Sequence, residues 1–287
     1  MNRRDFLGLL AAGAALPLAR AGAAETVRVG LTPVFLDDQV GFLNAWRGYL
    51  ERRLERPVEF VQRGTYREIV ELLRQTKLDV AWLCGYPYVR NRSVLRLLVV
   101  PLFRGRPLYQ SYLIVSAADR SSQSLFDLRG KVFAYSDPDS NSGYLYPTYR
   151  LLMTHERGDT FFGKSFFTWA HRKVVEAVAA RVAHGGAVDG YVWETLARFY
   201  PALTDRTRVV EKSPQFGHPP FVARAGLPRA TFAAFQQALL GMAEDAPGRA
   251  LLGQLNLDGF TAGQDSLFDS IEQMAKAVAA PRHAPSA

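Results

Sequence analysis

One cysteine, Cys84, is all the sequence contains, so no disulfide can form within the chain and stability must come from a packed core. There is no C-x-x-C or H-E-x-x-H pattern, and the five histidines are scattered, which argues against a metal site; no cofactor motif is present either. After the first residues no run of about 18 apolar positions occurs, so nothing downstream reads as a membrane span. The formal charge is +8, yet the basic residues form no dense run and no nucleic-acid motif, so a nucleic-acid partner is not indicated. No G-x-S-x-G elbow, no histidine motif around Cys84 and no obvious carboxylate pair is found, and the reading is of a protein that is not an enzyme. Internal repeats and low-complexity domains are also lacking.

What is present begins with an export segment. Arg3 and Arg4 precede Phe6 and Leu7, an apolar run follows from Leu7 to Leu18, and Ala21-Gly22-Ala23 offers a cleavage site. The arginine pair resembles a twin-arginine signal, with an ordinary secretory signal as the alternative. No cysteine sits at the cleavage site, which argues against a lipid anchor. Residues 1–23 are thus read as a signal peptide and the protein as periplasmic. The segment removes Arg3, Arg4, Arg20 and Asp5, leaving a mature chain of about +6, a balance that favours anionic ligands.

The mature chain alternates strand and helix patterns. Val27–Leu31, Val58–Val61 and Val80–Leu83 read as strands, separated by helical spacing over Gly41–Leu54 and Tyr66–Thr76. This βαβαβ opening predicts a parallel sheet covered by helices. The middle third repeats it, with strands at Tyr112–Val115, Lys131–Tyr135 and Val188–Val192. A short helix is expected within Ser124–Gly130, another starts near Tyr144, and Phe161–Thr168 reads as loop plus strand. A helix over Val174–His184 has Gly185 and Gly186 as its stop signals. Helices are expected over Arg229–Asp245, Gly248–Leu255 and Ser266–Ala279, and residues 280–287 as a disordered tail. Two α/β lobes with a cleft between them follow.

The most informative stretch is Asp137-Pro138-Asp139-Ser140-Asn141-Ser142-Gly143, between a strand and a helix. Ser140, Asn141 and Ser142 are capping residues, and the first helical turn carries unsatisfied N–H groups and a positive dipole end. Gly143 permits close backbone approach, so the stretch can hold an oxyanion or simply cap its helix.

These residues resemble the periplasmic phosphate, phosphite and phosphonate-binding proteins, the phosphonate branch of the type II solute-binding fold. The resemblance runs through L-E-R-R-L-E-R-P at Leu50–Pro57, Tyr66, Asp79–Trp82, Tyr109, Ser111–Val115, D-L-R-G-K ending at Lys131, D-P-D-S-N-S-G-Y-L-Y-P, His171, Asp189 and G-H-P-P at Gly217–Pro220. It implies a two-lobed α/β fold, one lobe from residues 26–110 plus 222–279 and the other from 111–221, with a hinge near Ser111 and Pro220. It also implies a monomeric protein that captures a small anion for an ABC permease. Ser140, Asn141 and Ser142 would hold the oxyanion, with Tyr66, Tyr109 and His171 donating to it.

Two departures bear on the ligand. Where the aminophosphonate binders have an acid for the ligand's ammonium, this chain has Gly217-His218, which places His218 in the site and leaves Glu194 as a substitute acid, at an offset from the matching Asp189 that is not the family's. Cys84 stands at a strand end where the family often has glycine. Because some regulatory relatives sense arsenite for a histidine kinase through a cysteine, a sensor subunit docking on a kinase's periplasmic domain is the alternative. Trp82, Tyr86, Tyr88 and Trp193 would supply aromatic walls or core.

Overall fold

The computed structural model describes residues 25–32 and 40–280; the export segment and residues 281–287 lie outside them. Six strands form one sheet in the order Gly259–Ala262, Leu95–Leu102, Phe221–Arg224, Val80–Trp82, Val27–Leu31, Val58–Gln62. The last three are mutually parallel, as the opening pattern predicts, with Val27 opposite Val58 and Val29 opposite Val80. Phe221–Arg224 inserts antiparallel between Val80–Trp82 and Leu95–Leu102. Helix Val40–Leu54 buries Phe42, Trp46, Tyr49, Leu50 and Leu54 against this sheet, the stripe that its sequence spacing requires. Trp46 there meets Phe60, Trp82 and Phe221 ring to ring at 5.2–6.4 Å.

A second sheet has five strands in the order Thr207–Lys212, Ser111–Ser116, Gly185–Asp189, Val132–Tyr135, Lys164–Phe167. Its own aromatic core stacks Phe133 on Phe162 at 4.3 Å. The chain passes between the sheets in two extended segments lying side by side. Leu108–Tyr109 pairs antiparallel with Phe216–Gly217, the His218 N–H donates to Pro107 O at 2.9 Å, and the Ser213 N–H donates to Ser111 O at 2.9 Å. The closing helix, Asp269–Ala279, lies against both Gly85–Arg90 and Tyr146–Leu152, one associated with each sheet. Among the described residues no helix is long and apolar enough to cross a membrane.

Several elements differ from the sequence reading. Helix His171–Ala179 ends six residues before Gly185, with Arg181 taking the left-handed conformation at φ 60°. Gly185 and Gly186 lie inside a strand instead of stopping the helix. They are glycine for packing: a Cβ on Gly185 would come 2.5 Å from Leu128, and one on Gly186 would come 2.4 Å from Val174. The strand expected over Val188–Val192 stops at Asp189, which caps a helix over Gly190–Phe199 by accepting from the Tyr191 and Val192 N–H groups. Apolar residues alone could not separate a buried strand from the first turn of a buried helix. Leu95–Leu102, with its internal Pro101, and the short strands Phe221–Arg224 and Gly259–Ala262 had no expectation attached.

Candidate ligand-binding site

The anion-loop stretch leaves strand Val132–Tyr135 and turns at once into a helix. The helix begins at Asn141, three residues earlier than expected, and its first turn is a wide π turn over Asn141–Leu145 that runs into Tyr146–Leu152. Ser140 caps it, its Oγ accepting from the Gly143 N–H at 3.0 Å. Ser140, Asn141 and Ser142 are all wholly buried. Ser111 Oγ, at the start of strand Ser111–Ser116, clamps the turn by donating to Ser142 O at 2.7 Å. π turns of this kind recur at functional sites because they re-aim side chains and backbone groups.

Residues from both sheets and from the paired crossings meet this turn. Tyr66 opens helix Tyr66–Arg74, and its backbone N–H donates to Asp137 Oδ2 at 3.3 Å. Cys84 follows the third parallel strand, and its Sγ accepts from the Asn141 N–H at 3.3 Å. Tyr109, on the first crossing, accepts from Asn141 Nδ2 at 2.9 Å. His171 Nε2 stands 3.5 Å from Ser140 Oγ, while His171 Nδ1 accepts from the Asp189 N–H at 3.0 Å. His218, on the second crossing, packs its ring 5.8 Å from Tyr109 and 4.9 Å from Tyr191. The structure therefore gathers Tyr66, Cys84, Tyr109, Ser140, Asn141, Ser142, His171, Asp189 and His218.

Two expected residues lie apart. The Tyr88 hydroxyl donates to Asp265, and its ring packs on Phe268, within the first sheet's side. Glu194 is engaged by the Tyr112 hydroxyl and by Arg104, each at 2.9 Å, so it ties the Arg104 turn to helix Gly190–Phe199. Of the aromatic candidates, Trp82 stacks on Phe221 in the core and lies tilted 6.5 Å from Tyr191, and Trp193 donates to Thr207. Sequence reasoning missed Ser136, Ser111 and Tyr191. Ser136 abuts Gly143 and its position in the D-P-D-S-N-S-G neighbourhood was the available signal; Tyr191 was hidden by the strand reading.

The polar inventory of the cluster is unusual. The Tyr66, Ser136 and Ser142 hydroxyls, Asn141 Oδ1 and His218 Nε2 are buried without a hydrogen-bond partner. Buried polar groups are nearly always paired, so several orphans in one place point to a polar ligand. Among the described residues none of the cluster's hydrogen bonds involves an arginine or lysine; Arg67 and Arg90 are turned onto Asp139 at 3.7 and 2.9 Å. Loss of water sets protonation. It pushes His171 and His218 down to about 3 and raises Asp137 and Asp189 to about 6 and about 7. Burial likewise pushes the Cys84 thiol up to about 12.

These shifts oppose each other in stability. The histidines are lowered from 6.5, so the unfolded chain holds more protons below that value and stability falls on acidification toward 3. The aspartates are raised from 3.8, so the folded chain holds more protons and stability rises as pH falls toward 3.8. Between about pH 4 and 6 the two pairs cancel. Asp189→Asn removes one compensating carboxyl and should make unfolding free energy fall by about 1.4 kcal/mol per pH unit from about pH 6 to 4 relative to wild type. Urea titrations with parallel pH profiles for the two proteins would contradict this.

The sequence profile of the family described as ABC transporter, phosphonate, periplasmic substrate-binding protein matches residues 29–268. The chain belongs to this family. A phosphate-import protein, PhnD, of Mycolicibacterium smegmatis is 30% identical over 161 residues, 51% of this chain and 48% of that protein, so the match spans about half of the relative's length. The phosphonates-binding periplasmic protein of Escherichia coli is 26% identical over 79% of this chain and 68% of its own. Among solved structures, a binding protein component of an ABC phosphonate transporter from Pseudomonas aeruginosa superposes with a TM-score of 0.81 at 20% identity, covering 89% and 87% of the two chains. PhnD1 of Prochlorococcus marinus in complex with methylphosphonate gives 0.79 at 19% identity, covering 88% and 97%. These likenesses show the two-lobed type II periplasmic-binding fold.

Proposed function

We propose that the protein is a periplasmic solute-binding component that captures a small tetrahedral oxyanion of phosphonate, phosphite or phosphate type for an ABC permease, without catalysing a reaction on it. The observation that carries this reading is the set of buried, unpartnered hydroxyls at a helix start, facing a neutral His171. Because His171 Nδ1 accepts from the Asp189 N–H, its proton sits on Nε2, and the ring is a donor. Tyr66, Tyr109, Ser140 and Ser142 add O–H donors, and the turn adds the dipole end. Neutral donors in a dry site bind an anion strongly without an opposing charge. The two crossings act as the hinge between residues 26–110 plus 222–279 and residues 111–221, and closure buries the ligand.

The family membership and the methylphosphonate held by the Prochlorococcus protein support the ligand class. An arsenite-sensing role through Cys84 finds no support, because a soft ligand needs a thiolate and this sulfur is buried, protonated and already accepting from Asn141. Calorimetry with methylphosphonate, phosphite and phosphate tests the proposal. Micromolar or tighter binding of at least one is expected, and no heat with any of them would end it.

A further inference from the structure

The two buried histidines of the cluster are fixed in opposite tautomers. His171 Nδ1 accepts a backbone N–H, so its Nε2 donates. His218 Nδ1 faces Pro219 O at 3.5 Å. A carbonyl oxygen only accepts, so Nδ1 carries the His218 proton and Nε2 presents a lone pair. That nitrogen is wholly buried and has no partner. The ring cannot swing away: Tyr109 and Tyr191 flank it, and its backbone N–H is held by Pro107 O. The cluster is thus a set of donors with two unpartnered acceptors, His218 Nε2 and the Asn141 Oδ1 whose amide is oriented by donation to Tyr109.

A fully ionised tetrahedral anion offers acceptors only. It would set an oxygen lone pair against His218 Nε2 in a site where, among the described residues, no arginine or lysine bonds to the cluster. A singly protonated oxyanion carries one O–H and a single charge. We propose that the site selects the singly protonated form of its oxyanion and that His218 Nε2 accepts the hydrogen of the ligand's P–O–H group. The inference rests on the anion reading above. Sulfate, which carries no proton near neutral pH, is excluded by the same lone pair.

The groups around His218 agree. Tyr109 and Tyr191 are phenols kept neutral by burial. Cys84 and Asp189 lie within electrostatic reach of Tyr109, and Asp137 within reach of Tyr66. Carboxyl groups here oppose a second ligand charge. Asp265, from the 3-10 turn against Gly217, is turned to Tyr88 and Arg92. Arg104 and Arg106 line a surface hollow of about 310 Å³ that Tyr109 and Tyr191 also border, and Arg104 is paired with Glu194.

Calorimetry of methylphosphonate from about pH 6 to 9, in buffers of different ionisation enthalpy, reads the ligand's proton directly. Above the ligand's second ionisation the apparent Kd should rise about tenfold per pH unit, with about one proton taken up on binding. His218→Phe keeps the ring but not the acceptor, and should weaken binding about tenfold at pH 6 and shrink the uptake. His218→Gln, whose amide oxygen can accept, should keep the pH slope, and Asp189→Asn should keep it too. Slope and uptake lost in Asp189→Asn but intact in His218→Phe would place the proton on Asp189 and overturn the proposal. Sulfate binding to wild type within tenfold of methylphosphonate would do the same. If methylphosphonate, phosphite and phosphate all fail at every pH, the anion reading itself falls, a result separable from a flat pH profile with tight binding.

Discussion

Changing Ser140 and Ser142 together to alanine is expected to weaken oxyanion binding by at least a hundredfold. Ser142 Oγ is buried and unpartnered, so its O–H is available to a ligand with no internal bond to break. Ser140 Oγ accepts from the Gly143 N–H, which leaves its own proton free to donate outward. A hydrogen bond to a charged ligand contributes about 1.5–3 kcal/mol, so losing two removes about 3 kcal/mol or more. The folded state loses less. Ser142 gives up no internal bond of its side chain, and loss of the Ser140 cap costs about 1 kcal/mol. Isothermal titration beside thermal unfolding separates the two effects. A double variant that binds like wild type would remove this turn from the anion site.

The same numbers explain why a site with no cation bonded to it among the described residues can hold an anion. An arginine would bring its charge at a large desolvation cost, whereas hydroxyls, an imidazole N–H and a helix start are already dry and oriented. The parts come from different regions of the chain: Tyr66 and Cys84 from the first sheet's side, Tyr109 and His218 from the crossings, and Ser140–Ser142 and His171 from the second. Ligand contacts would therefore also be lobe-closing contacts, joined by Arg90–Asp139 on one flank and Arg104–Glu194 on the other.

Strong local periodicity was legible in the sequence, and long-range pairing was not. Helix Val40–Leu54 and the parallel strands at Val27, Val58 and Val80 carry their pattern within a dozen residues, so they could be read directly. Phe221–Arg224 joins the first sheet only because the chain returns to lie between Val80–Trp82 and Leu95–Leu102, a pairing nothing local announces. The glycines at 185 and 186 look the same whether they end a helix or make room for Leu128 and Val174. For the cluster, residue types and family resemblance indicated Tyr66, Tyr109, Ser140, Asn141, Ser142, His171 and His218. They could not indicate that Tyr88 and Glu194 are satisfied elsewhere, because Asp265 and Arg104 are their partners only in three dimensions. Nor could they give the tautomers of the two histidines, which depend on the Asp189 N–H and the Pro219 carbonyl.

Gly143→Ala should abolish measurable binding while leaving a folded, less stable protein. A Cβ at position 143 would lie 1.9 Å from Ser136 Oγ, 2.7 Å from Ser136 Cβ and 3.2 Å from Ser140 Oγ. Rotating the Ser136 hydroxyl relieves the first contact but not the second, which involves an atom fixed to the backbone. The π turn must then move away from strand Val132–Tyr135, where the Ser136 N–H donates to Gly143 O at 3.4 Å. Overpacking of this kind costs about 1–3 kcal/mol of stability. Binding loses more, because the displaced turn carries Ser140, Asn141 and Ser142 together, and a misplacement of about 1 Å weakens every donor at once. Ser136→Gly in the same chain removes both clashing atoms and should restore much of the affinity. Binding by Gly143→Ala at wild-type strength would show that the turn does not grip the ligand; failure of the Ser136→Gly rescue would place the damage beyond this contact.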